Sequence, residues 1–221
     1  MNKFHVIIFA VILVIFIGLI VTTQFGAVSS NSTIIPTPPG SSVFKVITPT
    51  ILAQQQQVQQ GPQPGSQAYE QAAAALQGPI AASIPATIKT TKGNIHIMLF
   101  GDQAPNTVRN FILKASTNYY NNLIFHRVEN WVIQGGDPKG NGTGGGQMPA
   151  EQTQRPFVVG SIGMARGSNP QINNDSQFFI TKTDASWLNG QYTNFGIVTS
   201  GMNVVDNIQI GDKILGITIN Q

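Results

Sequence analysis

A change in composition near residue 86 limits where this chain can build a folded core. Residues 29–85 are dominated by Ser, Thr, Pro, Gln, Gly and Ala, and Lys45 and Glu70 are their only charged side chains. Such a segment cannot bury enough apolar surface to offset the entropy of ordering it, so we interpret it as a disordered tether. The remaining residues, 86–221, are numerous enough to form one core.

The first 28 residues predict a hydrophobic helix that targets the chain to a membrane. Lys3 precedes sixteen uninterrupted apolar residues, Val6–Val21, a length between the core of a signal peptide and a spanning helix. Two interpretations stay open: an uncleaved single-pass anchor through residues 6–23, and a signal peptide cleaved after Ala27-Val28-Ser29 that leaves a secreted domain. In both, Lys3 stays in the cytoplasm and the C-terminal domain lies outside it.

Composition excludes several classes of function. Twelve basic and nine acidic side chains give a formal net charge of only +3, and no run of Lys or Arg exists, so we expect no nucleic-acid binding. Cysteine is absent, which excludes disulfides, thiolate nucleophiles and cysteine-bound zinc. The three histidines lack metal-ligand spacing, no carboxylates are closely paired, and no serine has an evident base, so we expect neither a metal, a cofactor nor hydrolase chemistry.

Short strands and few helices are predicted between residue 86 and the C-terminus. A hairpin is indicated by two apolar-alternating segments on either side of Thr91-Lys92-Gly93. Helical spacing of apolar residues follows Ala104-Pro105, and a second, shorter helical pattern covers residues 69–76. Strands are predicted at residues 87–90, 94–100, 125–128, 131–134, 160–165, 176–181, 194–198 and 214–219. This pattern favours a mainly β, closed or nearly closed barrel.

Arg127 lies close in sequence to an apolar stretch, Trp131-Val132-Ile133. Neither a buried strand nor a surface loop explains this combination of a cation and apolar side chains. A fixed positive charge next to an apolar surface is the strongest chemical signal in the chain. Residues 140–145 also have the spacing G-x-G-x-x-G, but Gln-Met-Pro follows them instead of a helix, so we interpret them as a bent loop and not as a dinucleotide site.

Six segments in order resemble the cyclophilins, the cyclosporin-type peptidyl-prolyl cis–trans isomerases. They are FHRVENWVIQGGDP (125–138), GNGTGG (140–145), GMAR (163–166), SQFFI (176–180), WLNGQYTNFG (187–196) and GMNVV (201–205). The resemblance runs from about Ala86 to the C-terminus and implies a closed eight-stranded antiparallel barrel with two helices and a substrate groove on its outer face. The predicted organisation is therefore a targeting segment (1–28), a linker (29–85) and an isomerase domain (86–221).

The resemblance also assigns roles to residues of this chain. It implies that catalysis falls to Arg127, Gln134 and Phe179. It implies that substrate is bound by Trp131, Val132, Gly142, Thr143, Ala165, Arg166, Gln177, Trp187, Leu188 and Tyr192. The implied partners are proline-containing polypeptides and, at Trp187, cyclosporin, with no cofactor.

Amide chemistry explains why such a site needs an arginine. Resonance places a barrier of ~18–20 kcal/mol on rotation about the X–Pro bond. Twisting that bond localises a lone pair on the prolyl nitrogen, which a donor such as Arg127 stabilises more than it stabilises either planar state. We therefore expect a prolyl isomerase that assists the folding of exported proteins; the alternative is a non-catalytic module that binds proline peptides or unfolded chains.

The sequence departs from the cyclophilin pattern at the proposed site. The chain is one residue shorter between Arg127 and the pocket residues. Trp131 and Val132 stand where phenylalanine and methionine are common, Arg166 replaces the asparagine of many eukaryotic members, and Tyr192 replaces a frequent histidine. Met-Ala-Arg is familiar from prokaryotic members.

Overall fold

Residues 65–220 are described by the structure, a computed structural model, and they form one antiparallel sheet with three α-helices. The helices are α1 (Gln67–Ala75), α2 (Pro105–Ser116) and α3 (Met202–Asn207), and a 3-10 helix covers Ser186–Leu188. The strands are β1 (Ser83–Thr90), β2 (Gly93–Phe100), β3 (Arg127–Val128), β4 (Val132–Gly135), β5 (Gln147–Pro149), β6 (Ser161–Arg166), β7 (Ile172–Thr181), β8 (Asn194–Ser200) and β9 (Ile214–Ile219). The mainly β prediction is confirmed.

The predicted hairpin at the start of the domain is confirmed. β1 and β2 pair from Ser83–Phe100 down to Thr90–Gly93. Gly93 has a φ of 132°, which side-chain-bearing residues rarely adopt, and the Thr90 hydroxyl donates to its carbonyl at 2.8 Å. Alternate residues of β2 point into the core, where Ile95, Ile97 and Leu99 are almost fully buried.

The predicted closed, eight-stranded barrel is wrong: within the described residues the sheet has nine strands and is curled but open. Its order is β3-β4-β7-β6-β8-β2-β1-β9, with β5 paired to β7 beside this path. Among residues 65–220, the two ends are joined by the bridge Ile124–Lys213 and by neighbouring backbone hydrogen bonds. Asn118 and Asn122, both at positive φ (58° and 66°), turn the chain before β3 and prevent it from extending as a strand there.

Helix α2 fills the concave side of the curled sheet. Its stripe of Val108, Phe111, Ile112 and Ala115 is buried as the spacing predicts, and the Phe111 ring lies 5.2–5.6 Å from three other aromatic rings. The N-cap residue, Ala104, has no side chain to accept a hydrogen bond. The distant carboxylate of Glu151 accepts from the first backbone N–H groups of the helix instead.

Helix α1 lies within the segment interpreted as a tether, where the short helical pattern at 69–76 predicts it. Ser66 caps its N-terminus, and Arg109 of α2 donates to the carbonyls of Leu76 and Gly78 beyond its C-terminus. Two helices were implied for the barrel, and α2 and α3 take those places. The predicted anchor and most of the predicted linker lie outside the described residues, and no helix within residues 65–220 is long and apolar enough to cross a membrane.

Strand pairing places two rows of residues across β3, β4, β7 and β6, one on each face of the sheet. The core-facing row consists of Val128, Ile133, Ile180 and Ile162. The opposite row consists of Arg127, Gln134, Phe179 and Gly163. Because neighbours in an antiparallel ladder point to the same face, the outer row gathers a cation, an amide and an aromatic ring from distant parts of the sequence.

Gly163 leaves the space that the Phe179 ring occupies. A Cβ atom at position 163 would lie 2.7 Å from Cε1 of Phe179 and 2.8 Å from Cε1 of Phe157. We expect Gly163→Ala to lower the free energy of unfolding by about 1–3 kcal/mol, because the buried rings must shift to admit the methyl group. Chemical denaturation measures this, with Gly167→Ala as control, because its Cβ would meet no atom within 4 Å; equal losses in both variants would contradict the packing argument.

Candidate active site

Arg127 lies at the β3 end of the outer row and is only half buried. Its side chain is 42% exposed. Nε donates to Oε1 of Glu129 at 2.7 Å, and Nη1 lies 3.4 Å from Oε1 of Gln134, the residue directly opposite on β4. The guanidinium carbon lies 5.3 Å from the centre of the Trp131 ring, a cation–π distance. The guanidinium is thus fixed on three sides while keeping access to solvent.

A chain of amides sets the orientation of Gln134. The buried Gln177 uses its Nε2 to donate to the carbonyls of Gly142 and Gly144, at 3.1 and 2.8 Å. Its amide oxygen therefore faces Gln134, whose Nε2 donates to it at 2.9 Å. Since one end of an amide donates and the other accepts, this leaves the oxygen of Gln134 for Arg127.

An apolar cluster separate from the main core lies beside Arg127. Its members are Val132, Phe157, Phe179, Ala185 and Leu188, with Trp131 and Tyr192 packed against it. The Phe179 ring stacks on Phe157 at 5.7 Å and meets Tyr192 edge-on at 5.7 Å. Trp131 meets Trp187 edge-on at 5.6 Å, and Trp187 is 55% exposed. The cluster is an apolar surface of the kind that a proline ring can contact.

Arg166 packs against Tyr192 at one side of the apolar cluster. Its guanidinium carbon lies 4.4 Å from the centre of the Tyr192 ring, and Nε donates to the Gln191 carbonyl at 3.1 Å. The pairing of β6 with β7 shifts register between Met164 and Arg166. Ala165 lies at this irregularity, which interrupts the alternation of the strand and reorients Arg166.

A cavity of about 410 Å³ lies on the other side of the amide chain. It is lined by residues 142–147, 167–169 and 172–174, so the predicted Gly142 and Thr143 belong to it. Gln177 connects it to Arg127, because the carbonyl of Gly142 accepts from Gln177 and Gln177 in turn accepts from Gln134. Backbone and amide groups dominate the lining, which suits a polypeptide more than a charged ligand.

Asp137 holds the loop that borders the cavity. This carboxylate is 1% exposed and accepts the backbone N–H groups of Lys139, Asn141 and Gly142. Burial raises the pKa of Asp137, but these donors together with nearby His126 bring it below its ordinary value of 3.8. The carboxylate therefore stays ionised at neutral pH and fixes the turn that precedes Thr143.

The groups next to Arg127 keep constant charges near neutral pH. The hydrogen bond from Arg127 is the main cause that holds the pKa of Glu129 below its ordinary value of 4.5. Burial lowers the pKa of His126 below 6.5, the charge of Arg127 acts in the same direction, and Asp137 opposes them. Glu129 is therefore an anion and His126 a neutral ring at pH 7.

The structure brings the predicted site residues to one face. Arg127, Gln134, Gln177 and Gly142 form the hydrogen-bonded chain; Thr143 lines the cavity; Ala165 adjoins Arg166; and Trp131, Val132, Phe179, Trp187, Leu188 and Tyr192 surround or extend the apolar cluster. Three residues at this face were not predicted: Glu129, Asp137 and Phe157. The alternate spacing of Arg127, Glu129 and Trp131 could have indicated Glu129, whereas nothing in the sequence ties Phe157 to Phe179. Within residues 65–220, no cluster of three or more His, Asp or Glu side chains is placed to hold a metal ion.

Comparison with known proteins identifies relatives of this domain. Residues 86–218 match the model of the family described as cyclophilin type peptidyl-prolyl cis-trans isomerase/CLD. The chain is 44% identical over 136 residues to a peptidyl-prolyl cis-trans isomerase of Helicobacter pylori, covering 58% of this chain and 82% of that protein. It is 42% identical over 138 residues to peptidyl-prolyl cis-trans isomerase 9 of Schizosaccharomyces pombe, covering 58% of this chain and 22% of that protein. The chain thus spans only about a fifth of the length of the second relative.

Solved structures give the same relationship. A cyclophilin type peptidyl-prolyl cis-trans isomerase of Cryptosporidium parvum superposes with a TM-score of 0.59 and 29% identity, over 63% of this chain and 98% of that one. The same protein in the presence of the dipeptide Ala-Pro gives a TM-score of 0.58 and 30% identity, over 62% of this chain and 99% of that one.

The buried carboxylate of Asp137 provides a test of how the cavity loop is held. We expect Asp137→Asn to lower the free energy of unfolding by about 1–3 kcal/mol at pH 7, because an amide supplies one acceptor oxygen in place of two and carries no charge. Chemical denaturation measures this, with the exposed Asp102→Asn as control.

The difference in free energy of unfolding between the parent protein and Asp137→Asn should depend on pH. The pKa of Asp137 is lowered in the folded protein, so its contribution is fully present above the ordinary value of 3.8 and is lost as the pH falls through the lowered value. The difference between parent and Asp137→Asn should therefore persist from pH 7 to about pH 5 and shrink in stronger acid. A difference that grows on acidification would show that Asp137 does not hold the loop as a carboxylate.

Proposed function

The chain belongs to the family of cyclophilin type peptidyl-prolyl cis-trans isomerases, and on that premise we propose that its domain isomerises X–Pro bonds in polypeptides outside the cytoplasm. The open, curled sheet with its helices has the cyclophilin fold. The observation that carries the proposal is the outer row, in which a half-exposed Arg127 stands beside a separate apolar cluster.

Arg127 acts in this proposal as the donor to the prolyl nitrogen. Twisting the X–Pro amide towards 90° breaks resonance and leaves a lone pair on that nitrogen, which the planar states lack. A guanidinium held by Glu129 and Gln134 is already oriented before substrate arrives, so little reorganisation is needed. The reaction needs no proton transfer, and arginine remains charged at every working pH.

In this proposal, the apolar cluster and the cavity next to Arg127 contact different parts of the substrate. Val132, Phe179 and Leu188 form the floor of a pocket for the proline ring, with Trp131 at its rim. The cavity beside Gln177 receives the residues that precede proline, and Ala165 and Arg166 flank them. Trp187, exposed at the edge of the apolar cluster, is the contact proposed for cyclosporin.

Removal of Arg127 tests the catalytic role. We expect Arg127→Ala to lower the isomerisation rate of a proline peptide roughly tenfold or more, equivalent to a loss of at least about 1.4 kcal/mol of transition-state stabilisation. Arg127→Lys should also be impaired, because a point charge cannot keep the planar contacts to Glu129 and Gln134 together. A protease-coupled isomerisation assay measures the rate, and unfolding curves of each variant check that the fold is intact.

The same assay decides between an enzyme and a binding module. An alanine variant that isomerises at the parent rate would remove Arg127 from the mechanism. A parent protein that binds proline peptides without accelerating their isomerisation would favour the non-catalytic module. Peptide affinity measured in parallel separates these two outcomes.

The proposed location rests on the N-terminal sequence alone. Lys3 precedes the apolar run, and the next basic residue is Lys45; this charge bias supports a location of the following domain outside the cytoplasm. With residues 6–23 uncleaved the domain is anchored to the membrane, and with the signal removed it is secreted.

Protease accessibility tests this topology. Protease added to intact spheroplasts should remove the domain while a cytoplasmic marker protein stays whole. Full protection of the domain until lysis would overturn the orientation and with it the role in folding exported proteins. Recovery of the domain in the medium would select the cleaved form over the anchored one.

A further inference from the structure

Glu129 connects two side chains of the proposed active site. Its Oε1 accepts from Nε of Arg127 at 2.7 Å, and its Oε2 accepts from the indole Nε1 of Trp131 at 2.9 Å. The guanidinium and the indole are themselves 5.3 Å apart, measured from Cζ to the ring centre. Arg127, Glu129 and Trp131 therefore form a closed ring of contacts.

The short connection between β3 and β4 produces this arrangement. The backbone N–H of Glu129 donates to the carbonyl of Val132 at 2.8 Å, so only Asn130 and Trp131 lie between the paired residues. Arg127 and Glu129 are two positions apart on extended chain and point to the same face. The tight turn returns Trp131 to that face as well, within reach of the same carboxylate.

An isolated ion pair at this exposure would contribute little. The side chains of Arg127 and Glu129 are 42% and 46% exposed, and exposed pairs are weak because solvent screens them and the side chains lose freedom. The carboxylate here, however, also engages an indole that packs on Trp187, so three contacts restrict the rotation of one guanidinium. The effect of the arrangement is on geometry more than on stability.

We propose that Glu129 is a positioning residue for catalysis: it holds Nε of Arg127 and thereby directs the Nη edge of the guanidinium towards the twisted X–Pro bond, while it sets Trp131 at the rim of the proline pocket. This inference rests on the proposed isomerase function. Nε is occupied by the carboxylate and Nη1 is shared with Gln134, and among residues 65–220 no hydrogen bond engages Nη2. The edge that carries Nη2 is the one left for substrate.

Loss of Glu129 should reduce turnover more than binding. In the full chain, we expect Glu129→Ala to lower kcat about three- to tenfold and to change KM by less than about twofold, because substrate contacts remain while the donor loses its fixed orientation. Glu129→Gln keeps one acceptor oxygen and should recover part of kcat. Asp206→Ala removes an equivalent charge from α3, which packs on β2, a strand distant from β3 in the sheet order, and should leave both constants at the parent value.

A double-mutant cycle separates positioning from an independent role. If Glu129 acts through Arg127, Glu129→Ala should have no further effect on kcat in an Arg127→Ala background. A further loss of similar size in that background would overturn the proposal, as would a kcat for Glu129→Ala equal to or above that of the parent. An increase would mean that the carboxylate withholds Arg127 from substrate.

The indole of Trp131 supplies a readout that does not depend on activity. The chain contains two tryptophans, so its ¹H–¹⁵N spectrum contains two indole signals, and Trp131→Phe identifies which one belongs to Trp131. Glu129→Ala should move this signal upfield by the loss of a charged acceptor and move the Trp187 signal less. An unchanged Trp131 signal would overturn the geometry.

The outcomes also distinguish this inference from the proposed function. If Arg127→Ala lowers the isomerisation rate and Glu129→Ala does not, the proposed isomerase function stands and Glu129 has no part in its mechanism. A parent chain without isomerase activity overturns both, even where the indole signal confirms the contact.

Discussion

The register between β4 and β7 is the constraint on which the site depends. Gln134 lies opposite Phe179, and Ile133 lies opposite Ile180, so the residues on one face are apolar and buried while those on the other belong to the site. A slip of one residue would exchange the two rows, burying Gln134 in the core and exposing Ile133. Burial of the isoleucine row therefore fixes the position of the amide and the aromatic ring, although neither takes part in that core.

Two kinds of support hold Arg127 once the register is fixed. On one side, a chain of amides runs from the glycine loop through Gln177 to Gln134, and its donors and acceptors can alternate in only one sense. On the other side, the carboxylate of Glu129, two residues along the chain, accepts from Nε of Arg127. The first support connects Arg127 to the cavity and the second connects it to Trp131 beside the apolar cluster, so both surfaces adjoin the same cation.

Much of the fold could be predicted because it depends on local patterns. Alternation in β2 and the apolar stripe of α2 identify their buried faces without reference to the rest of the chain. Strand β5 was not predicted, because Gln147-Met148-Pro149 has no alternating pattern. These residues form a strand by pairing with β7. The openness of the sheet was also not predicted, because it depends on whether the end strands β3 and β9 pair with each other, and local patterns do not show this.

Some residues of the candidate site could likewise be predicted from motifs, whereas others come together only in the folded protein. Arg127, Gln134 and Phe179 could be predicted because two motifs of the resemblance, residues 125–138 and 176–180, contain them. Phe157 could not, since it reaches Phe179 from a loop that has no motif and meets it only when Gly163 leaves room. Asp137 lies within a recognised motif, but its function as acceptor for three backbone N–H groups depends on the path of the loop that follows.

The short β3–β4 turn and the tryptophan within it act together on the position of Arg127. With only two residues between the hydrogen-bonded positions 129 and 132, position 131 lies in the turn and precedes strand β4. From this position the indole of Trp131 packs on Trp187, and a phenyl ring in its place would be smaller. The indole also brings an N–H that a phenyl ring lacks, and a buried or half-buried indole usually requires an acceptor for it. Glu129 is that acceptor, and the same carboxylate binds Arg127, so a short turn, an indole and an acidic residue together maintain the geometry around a single guanidinium.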